Sequence, residues 1–181
     1  MRKVHGGIKM IVLGKQAPKF NLEAYENGSI KKISSDDFKD KWIVLNFYPR
    51  DFTFVCPTEL KALAKYEDEF KKENAVILAA STDSVHSHKA WIESGLNEIK
   101  YPLLADTSHS LSRDFNVLIE ETGTALRGTF IIDPKGILQY SVISNLSIGR
   151  STDEILRVLQ ALQTGELCPI NWKPGDKTLG G

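Results

Sequence analysis

Apolar positions fall along this chain in two spacings. The run Trp42-Ile43-Val44-Leu45-Asn46-Phe47-Tyr48 is apolar almost throughout, which suits a strand covered on both faces, and Pro49 stops it. Ala75-Val76-Ile77-Leu78-Ala79-Ala80 reads the same way. Between them Leu60, Leu63, Ala64 and Phe70 recur at helical spacing, with Glu67 interrupting the series. Pro57 suits the first turn of that helix and Lys71-Lys72 its last. After the second strand, Thr82-Asp83-Ser84 offers caps for a helix carrying Trp91 and Ile92.

Further on, residues 129–132 and 137–142 flank Asp133-Pro134-Lys135-Gly136, a turn sequence that predicts an antiparallel hairpin. Ser151-Thr152-Asp153-Glu154 has the form of a capping box, opening a last helix with apolar Ile155, Leu156, Leu159 and Leu162 that Gly165 ends. Strands alternating with helices, then a hairpin and a closing helix, describe an α/β domain with parallel and antiparallel pairs in one sheet. A thioredoxin-like mixed sheet flanked by helices is the simplest such plan. Residues 10–163 are expected to form it, with an N-terminal extension at 1–9 and an irregular C-terminal tail at 164–181. No repeat, linker or low-complexity tract divides the 181 residues further.

Composition narrows the function classes. A hydrophobic content of 41% supports one ordinary core, and 23 basic residues balance 23 acidic ones, so no basic footprint for nucleic acid or an anionic membrane appears. The apolar stretch at residues 10–13 is too short for a secretory or membrane segment, and a cytoplasmic protein is expected. Two cysteines cannot make a disulfide scaffold, which leaves a transient, catalytic disulfide open.

Cys56 precedes Pro57 at a helix entrance, where unpaired N–H groups and the macrodipole favour the nucleophilic thiolate. The bland alternative is a buried core cysteine. Thr53, three residues earlier, can bring its hydroxyl to the sulfur, donating to a peroxide oxygen or accepting from it, or can simply cap the helix. Pro49 either shields the same pocket or only ends a strand. Arg127, just before the hairpin, can reach the sheet edge near Cys56 and stabilise both thiolate and leaving oxygen; alone it reads as a solvated surface residue. Glu59 and Arg150 can pair to orient the cluster, or form a surface pair of little value. Cys168, in the tail, suits a thiol that condenses with a sulfenic acid, or has no partner. Its distance in sequence from Cys56 excludes a Cys-x-x-Cys pair. His86-Ser87-His88 lacks ligands at metal spacing and reads as two solvated imidazoles on a helix. No phosphate-binding glycine loop or Gly-x-Ser-x-Gly is present, so no cofactor and no metal are expected.

The segment Phe47-Tyr48-Pro49-Arg50-Asp51-Phe52-Thr53-Phe54-Val55-Cys56-Pro57-Thr58-Glu59 closely resembles the peroxidatic segment of typical two-cysteine peroxiredoxins, including the peroxidase component of bacterial alkyl hydroperoxide reductases. The resemblance extends through His88-Lys89-Ala90-Trp91, Tyr101-Pro102-Leu103-Leu104-Ala105-Asp106, residues 126–134 and Ile148-Gly149-Arg150-Ser151. It implies a thiol peroxidase that reduces hydrogen peroxide and organic hydroperoxides. The family's Pro-x-x-x-Thr-x-x-Cys signature falls on Pro49, Thr53 and Cys56, its catalytic arginine on Arg127, and its supporting ion pair on Glu59 and Arg150. The stretch from Leu167 to Gly175 resembles the resolving segment, which implies a disulfide from Cys168 to Cys56 of a partner subunit. It further implies a homodimer that often forms a decamer, and a dithiol protein reductant, either thioredoxin or a dedicated flavoprotein. Two departures are visible: Ser94-Gly95-Leu96-Asn97 replaces a Gly-Gly-Leu-Gly stretch, and the sequence stops at Gly181 without the C-terminal Tyr-Phe helix of peroxide-sensitive members. Both lead to an expectation of resistance to over-oxidation. A holdase or binding module on the same fold is the alternative from another class, but it has no need for Thr53, Cys56 and Arg127 together. A protein thiol-disulfide oxidoreductase is weakened by the missing Cys-x-x-Cys.

Overall fold

The computed structural model describes residues 11–180. The proposed extension at 1–9 lies outside them. The chain opens with a hairpin of β1 (Asn21–Glu26) and β2 (Ser29–Ser34). It turns through Asn27 and Gly28, whose φ angles of 45° and 85° are the left-handed pair that a two-residue hairpin requires. Asn-Gly is the sequence signal for such a turn, and the strand reading above passed over it. A short 3-10 turn (Ser35–Phe38) leads to β3 (Trp42–Phe47), followed by α1 (Cys56–Lys65), α2 (Glu67–Lys72), β4 (Ala75–Ser81), α3 (Val85–Glu93) and β5 (Leu103–Ala105). Then come α4 (Ser110–Asp114), the two-residue strands β6 (Leu118–Ile119) and β7 (Thr124–Ala125), β8 (Arg127–Ile132), β9 (Leu138–Ser144) and α5 (Thr152–Thr164).

The seven-stranded sheet has the order β2-β1-β5-β4-β3-β8-β9, parallel across β3, β4 and β5 and antiparallel elsewhere. The near-continuous apolar runs fall on its centre because β3 and β4 are covered on both faces, one cluster forming on each side. On one side Val44 and Ile77 meet Leu60 and Leu63 of α1, Phe70 of α2, Trp91 of α3 and Leu159 of α5. On the other, Leu45 and Phe47 meet Leu111, Phe115 and Phe130. Phe115 and Phe130 stack edge-on at 4.8 Å.

The single helix expected after Pro57 is two. It breaks at Tyr66 (φ −101°, ψ 6°), whose N–H turns back to the Leu63 carbonyl, and the interruption of apolar spacing at Glu67 marks the place. The capping box at Ser151 is half formed: its hydroxyl accepts from the Glu154 N–H, but the Glu154 carboxylate is drawn to Arg157 at 2.6 Å instead of reaching back. Gly165, at φ 66°, ends α5 as expected. Residues 165–180 form neither helix nor strand; Trp172 buries its ring, and Arg157 donates to its carbonyl at 3.0 Å, tying the tail to α5.

Candidate active site

The end of β3 delivers the chain to a loop over residues 48–55, and α1 begins at Cys56. Pro49 is buried there. No side chain caps α1, Pro57 has no N–H to satisfy, and Glu59 is the acidic residue of its first turn. Cys56 is completely buried, a free thiol at the first helical position.

Arg127, the first residue of β8, crosses beneath that terminus. Its Nη1 donates to Cys56 Sγ at 3.5 Å and to Glu59 Oε2 at 2.6 Å, and its Nε donates to the Leu146 carbonyl at 2.7 Å. Glu59 stands one turn beyond Cys56 and is held from a second side: Arg150 donates to it from its backbone N–H (2.8 Å), Nε (2.9 Å) and Nη2 (3.0 Å). Arg150 is itself fixed by donating to the Gly128 carbonyl and to Thr129 Oγ1. The side chains of Glu59, Arg127 and Arg150 are 6%, 4% and 5% exposed. The bland alternatives, a solvated Arg127 and a surface pair of Glu59 with Arg150, do not hold. Burial raises the Glu59 carboxyl, but hydrogen bonds and charge from Arg150, with the charge of Arg127, outweigh it and leave the group below its ordinary value. The carboxylate therefore aligns two guanidiniums, one of which places positive charge on the sulfur.

Thr53 lies on the same loop and donates its hydroxyl proton to the Arg50 carbonyl at 2.9 Å. With that proton committed, the oxygen keeps its lone pairs as an acceptor. Gly149, beside Arg150, lies against the same group: an added Cβ would make ordinary contact at 3.6 Å with Glu59 Cγ and Val55 Cγ1. Cys168 is half-buried against α5, with Sγ 3.4 Å from Thr164 Oγ1 and 3.7 Å from the Ala161 carbonyl, and it is a free thiol like Cys56. The structure thus gathers Cys56, Arg127, Glu59 and Arg150 into one hydrogen-bonded group, sets Pro49 and Thr53 on the loop leading into it, and leaves Cys168 on α5.

Sequence reasoning missed the Leu146 carbonyl and Thr129, which orient the two arginines; a carbonyl carries no residue-specific signal. It misread His88, which is fully buried against Asp51 and Tyr48 and not solvated, because a helix position shows its burial only once its neighbours are known. Among the described residues, no group of three or more His, Cys, Asp or Glu side chains is gathered to hold a metal, and no helix is long and apolar enough to cross a membrane.

The chain has matches among known proteins. The model of the AhpC/TSA family matches residues 13–141, and that of the C-terminal domain of 1-Cys peroxiredoxin matches residues 161–179. The chain belongs to the AhpC/TSA family of peroxiredoxins. It is 51% identical to peroxiredoxin prdx-2 of Caenorhabditis elegans over 92% of this chain and 88% of that one. Thioredoxin peroxidase of Echinococcus granulosus is 49% identical over 92% of this chain and 91% of the relative. Among solved structures, reduced 2-Cys peroxiredoxin of Plasmodium vivax superposes with a TM-score of 0.88 at 41% identity, covering 92% of this chain and 91% of that one. The thioredoxin-like mixed α/β fold is thereby established, and with it an oxidoreductase of the thiol peroxidase class.

Proposed function

We propose that this peroxiredoxin reduces hydroperoxides with Cys56 as the attacking thiolate and Cys168 as the resolving thiol. The observation that carries the reading is the Arg127 guanidinium, locked by Glu59 and the Leu146 carbonyl and placed 3.5 Å from the buried Cys56 sulfur. In the first step the thiolate attacks one peroxide oxygen, the O–O bond breaks, and the departing hydroxide or alkoxide takes up a proton. Arg127 stabilises negative charge on both sides of that transfer, and the Thr53 oxygen accepts from the peroxide O–H. Cys56 is left as a sulfenic acid. The Cys168 thiol then displaces water from it to form a disulfide, which a dithiol protein reduces back to two thiols. The Echinococcus relative is named for thioredoxin, which supports thioredoxin as that reductant; a dedicated flavoprotein is the alternative.

A homodimer with intersubunit disulfides, in a larger ring, fits the sheet edges. The outer edge of β2 carries Lys31 and Lys32, charges that discourage strand addition, whereas β9 (Leu-Gln-Tyr-Ser-Val-Ile-Ser) carries none and exposes Ile143. A second copy of the chain is the partner we assign to β9, and the cytoplasm is the compartment we assign to the enzyme. The deciding test is stopped-flow oxidation of the reduced protein by hydrogen peroxide. Rapid loss of one thiol is expected, abolished in Cys56→Ser; near-wild-type turnover by that variant with a working dithiol reductant would overturn the assignment.

A further inference from the structure

His88 is a fully buried imidazole that the peroxidase chemistry above does not use. It sits in α3, and its two ring nitrogens meet different parts of the molecule. Nδ1 lies 2.9 Å from Asp51 Oδ2, in the loop that leads to Cys56, and Nε2 lies 3.2 Å from the Leu104 carbonyl in β5. The Tyr48 hydroxyl, at the end of β3, donates to the other carboxylate oxygen, Asp51 Oδ1, at 2.8 Å and is 3.3 Å from Nδ1. Burial, and after it the Asp51 charge, holds the Tyr48 phenol well above its ordinary value, so this hydroxyl keeps its proton. A carboxylate and a backbone carbonyl only accept, so a ring nitrogen that bonds either of them does so as the donor. The Asp51 N–H is also committed, to Asp83 Oδ2 at 2.9 Å, and Asp83 is steadied by Ser81 Oγ at 2.7 Å.

Asp51 is thus fixed through both carboxylate oxygens and its backbone N–H, while its neighbours are held more loosely, Arg50 through side-chain bonds to the Thr122 carbonyl and Thr124 Oγ1 and Phe52 through its ring against Trp91. The next residue, Phe52, is 60% exposed with φ 54°, a left-handed conformation uncommon for a bulky side chain. The residue before, Arg50, supplies the carbonyl that takes the Thr53 hydroxyl proton. That carbonyl shares a peptide group with the Asp51 N–H, so a shift of Asp51 reaches the Thr53 oxygen through this one peptide. We propose that His88 is a positioning residue for peroxide oxidation: by holding Asp51 it sets the Arg50 carbonyl, and through it the Thr53 acceptor, without touching the peroxide.

The proposal rests on Cys56 being the peroxide-reactive thiol, and oxidation of the wild-type protein in the same experiment tests that separately. The two ends of the ring can be mimicked one at a time. The amide of asparagine reaches the place of Nδ1, toward Asp51, whereas that of glutamine reaches the place of Nε2, toward Leu104. Stopped-flow oxidation by hydrogen peroxide is expected to slow about tenfold or more in His88→Gln, the scale on which small misplacements of reacting groups act, and His88→Asn is expected to recover most of the rate. Disulfide formation by Cys168, followed in the same traces, is not slowed, because α1 lies beyond the anchored residues. Asp51→Asn, which keeps side-chain shape, supplies an arm independent of packing around His88. It is expected to slow oxidation, and adding His88→Gln to it should cost no more than the worse single change. Equal losses in His88→Asn and His88→Gln, multiplicative losses in the double variant, or an unchanged rate in Asp51→Asn would each overturn the proposal.

Discussion

At the level of single residues, the site is a problem of keeping one arginine still. Arg127 gives its Nε to a carbonyl and one Nη to Glu59, so its position beside Cys56 is fixed before any peroxide arrives. Arg127→Met removes one preorganised donor while keeping similar bulk, and oxidation of Cys56 should slow about a hundredfold, read from pre-steady-state traces. The carboxylate between the arginines makes its own pH prediction. The Glu59 carboxyl lies below its ordinary value in the folded protein, so the unfolded chain binds the proton more tightly. Its contribution to stability is therefore full above the unfolded value, about pH 4.3 for glutamate, and is lost as pH falls through the lower folded value. Thermal unfolding midpoints of the wild type and Glu59→Gln should differ at neutral pH and converge in acid; a gap independent of pH would show that Glu59 acts through packing alone. Cys56, Thr53 and Arg127 were named from the sequence because peroxide chemistry calls for a thiol, a hydroxyl and a cation. That Glu59 and Arg150 are buried was not, since nothing local in their sequence separates an internal ion pair from a surface one.

Among elements, the ends of helices matter more than their middles. Cys56 occupies the uncapped start of α1, whereas α5 is capped: Ser151 Oγ accepts from the Glu154 N–H at 3.3 Å, directly after Arg150 has turned in to Glu59. Ser151→Ala should lower stability by about 1 kcal/mol, the usual value of such a cap, measured by denaturant unfolding. Oxidation of Cys56 should slow only slightly, because the bonds of Arg150 to Glu59, Gly128 and Thr129 persist without the cap. The strands and helices with strong periodicity were readable from the chain, as was the hairpin around Asp133-Pro134-Lys135-Gly136. The break at Tyr66 and the half-formed box at Ser151 follow from competing partners, Leu63 for one and Arg157 for the other, which local pattern does not rank.

For the whole molecule, the placement of the two cysteines sets what resolution requires. Cys56 is sealed beneath the start of α1 and Cys168 rests on α5, and disulfide formation brings Cα atoms to within about 7 Å. The first turn of α1 has to open, and the uncharged edge of β9 is where a second chain can bring its own Cys168. One equivalent of hydrogen peroxide should therefore give a covalent dimer on a non-reducing gel, absent in Cys168→Ser. An oxidised band running only as monomer would place the bridge within one chain.

The sequence alone determined the class of fold, because apolar runs and helical stripes report how each segment must bury its own surface. It also singled out Cys56 as the candidate nucleophile, through a thiol ahead of a helix proline in a segment that resembles the peroxidatic one. Tertiary structure decided everything that depends on distant neighbours. It placed β8 against β3, so that Arg127 arrives under Cys56 from across the sheet, and it turned Glu59 inward between two arginines. It also buried His88 against Asp51 in the Cys56 loop. Charge, burial and hydrogen bonding at these positions are properties of pairs far apart in the chain, and periodicity along one segment carries no record of the partner.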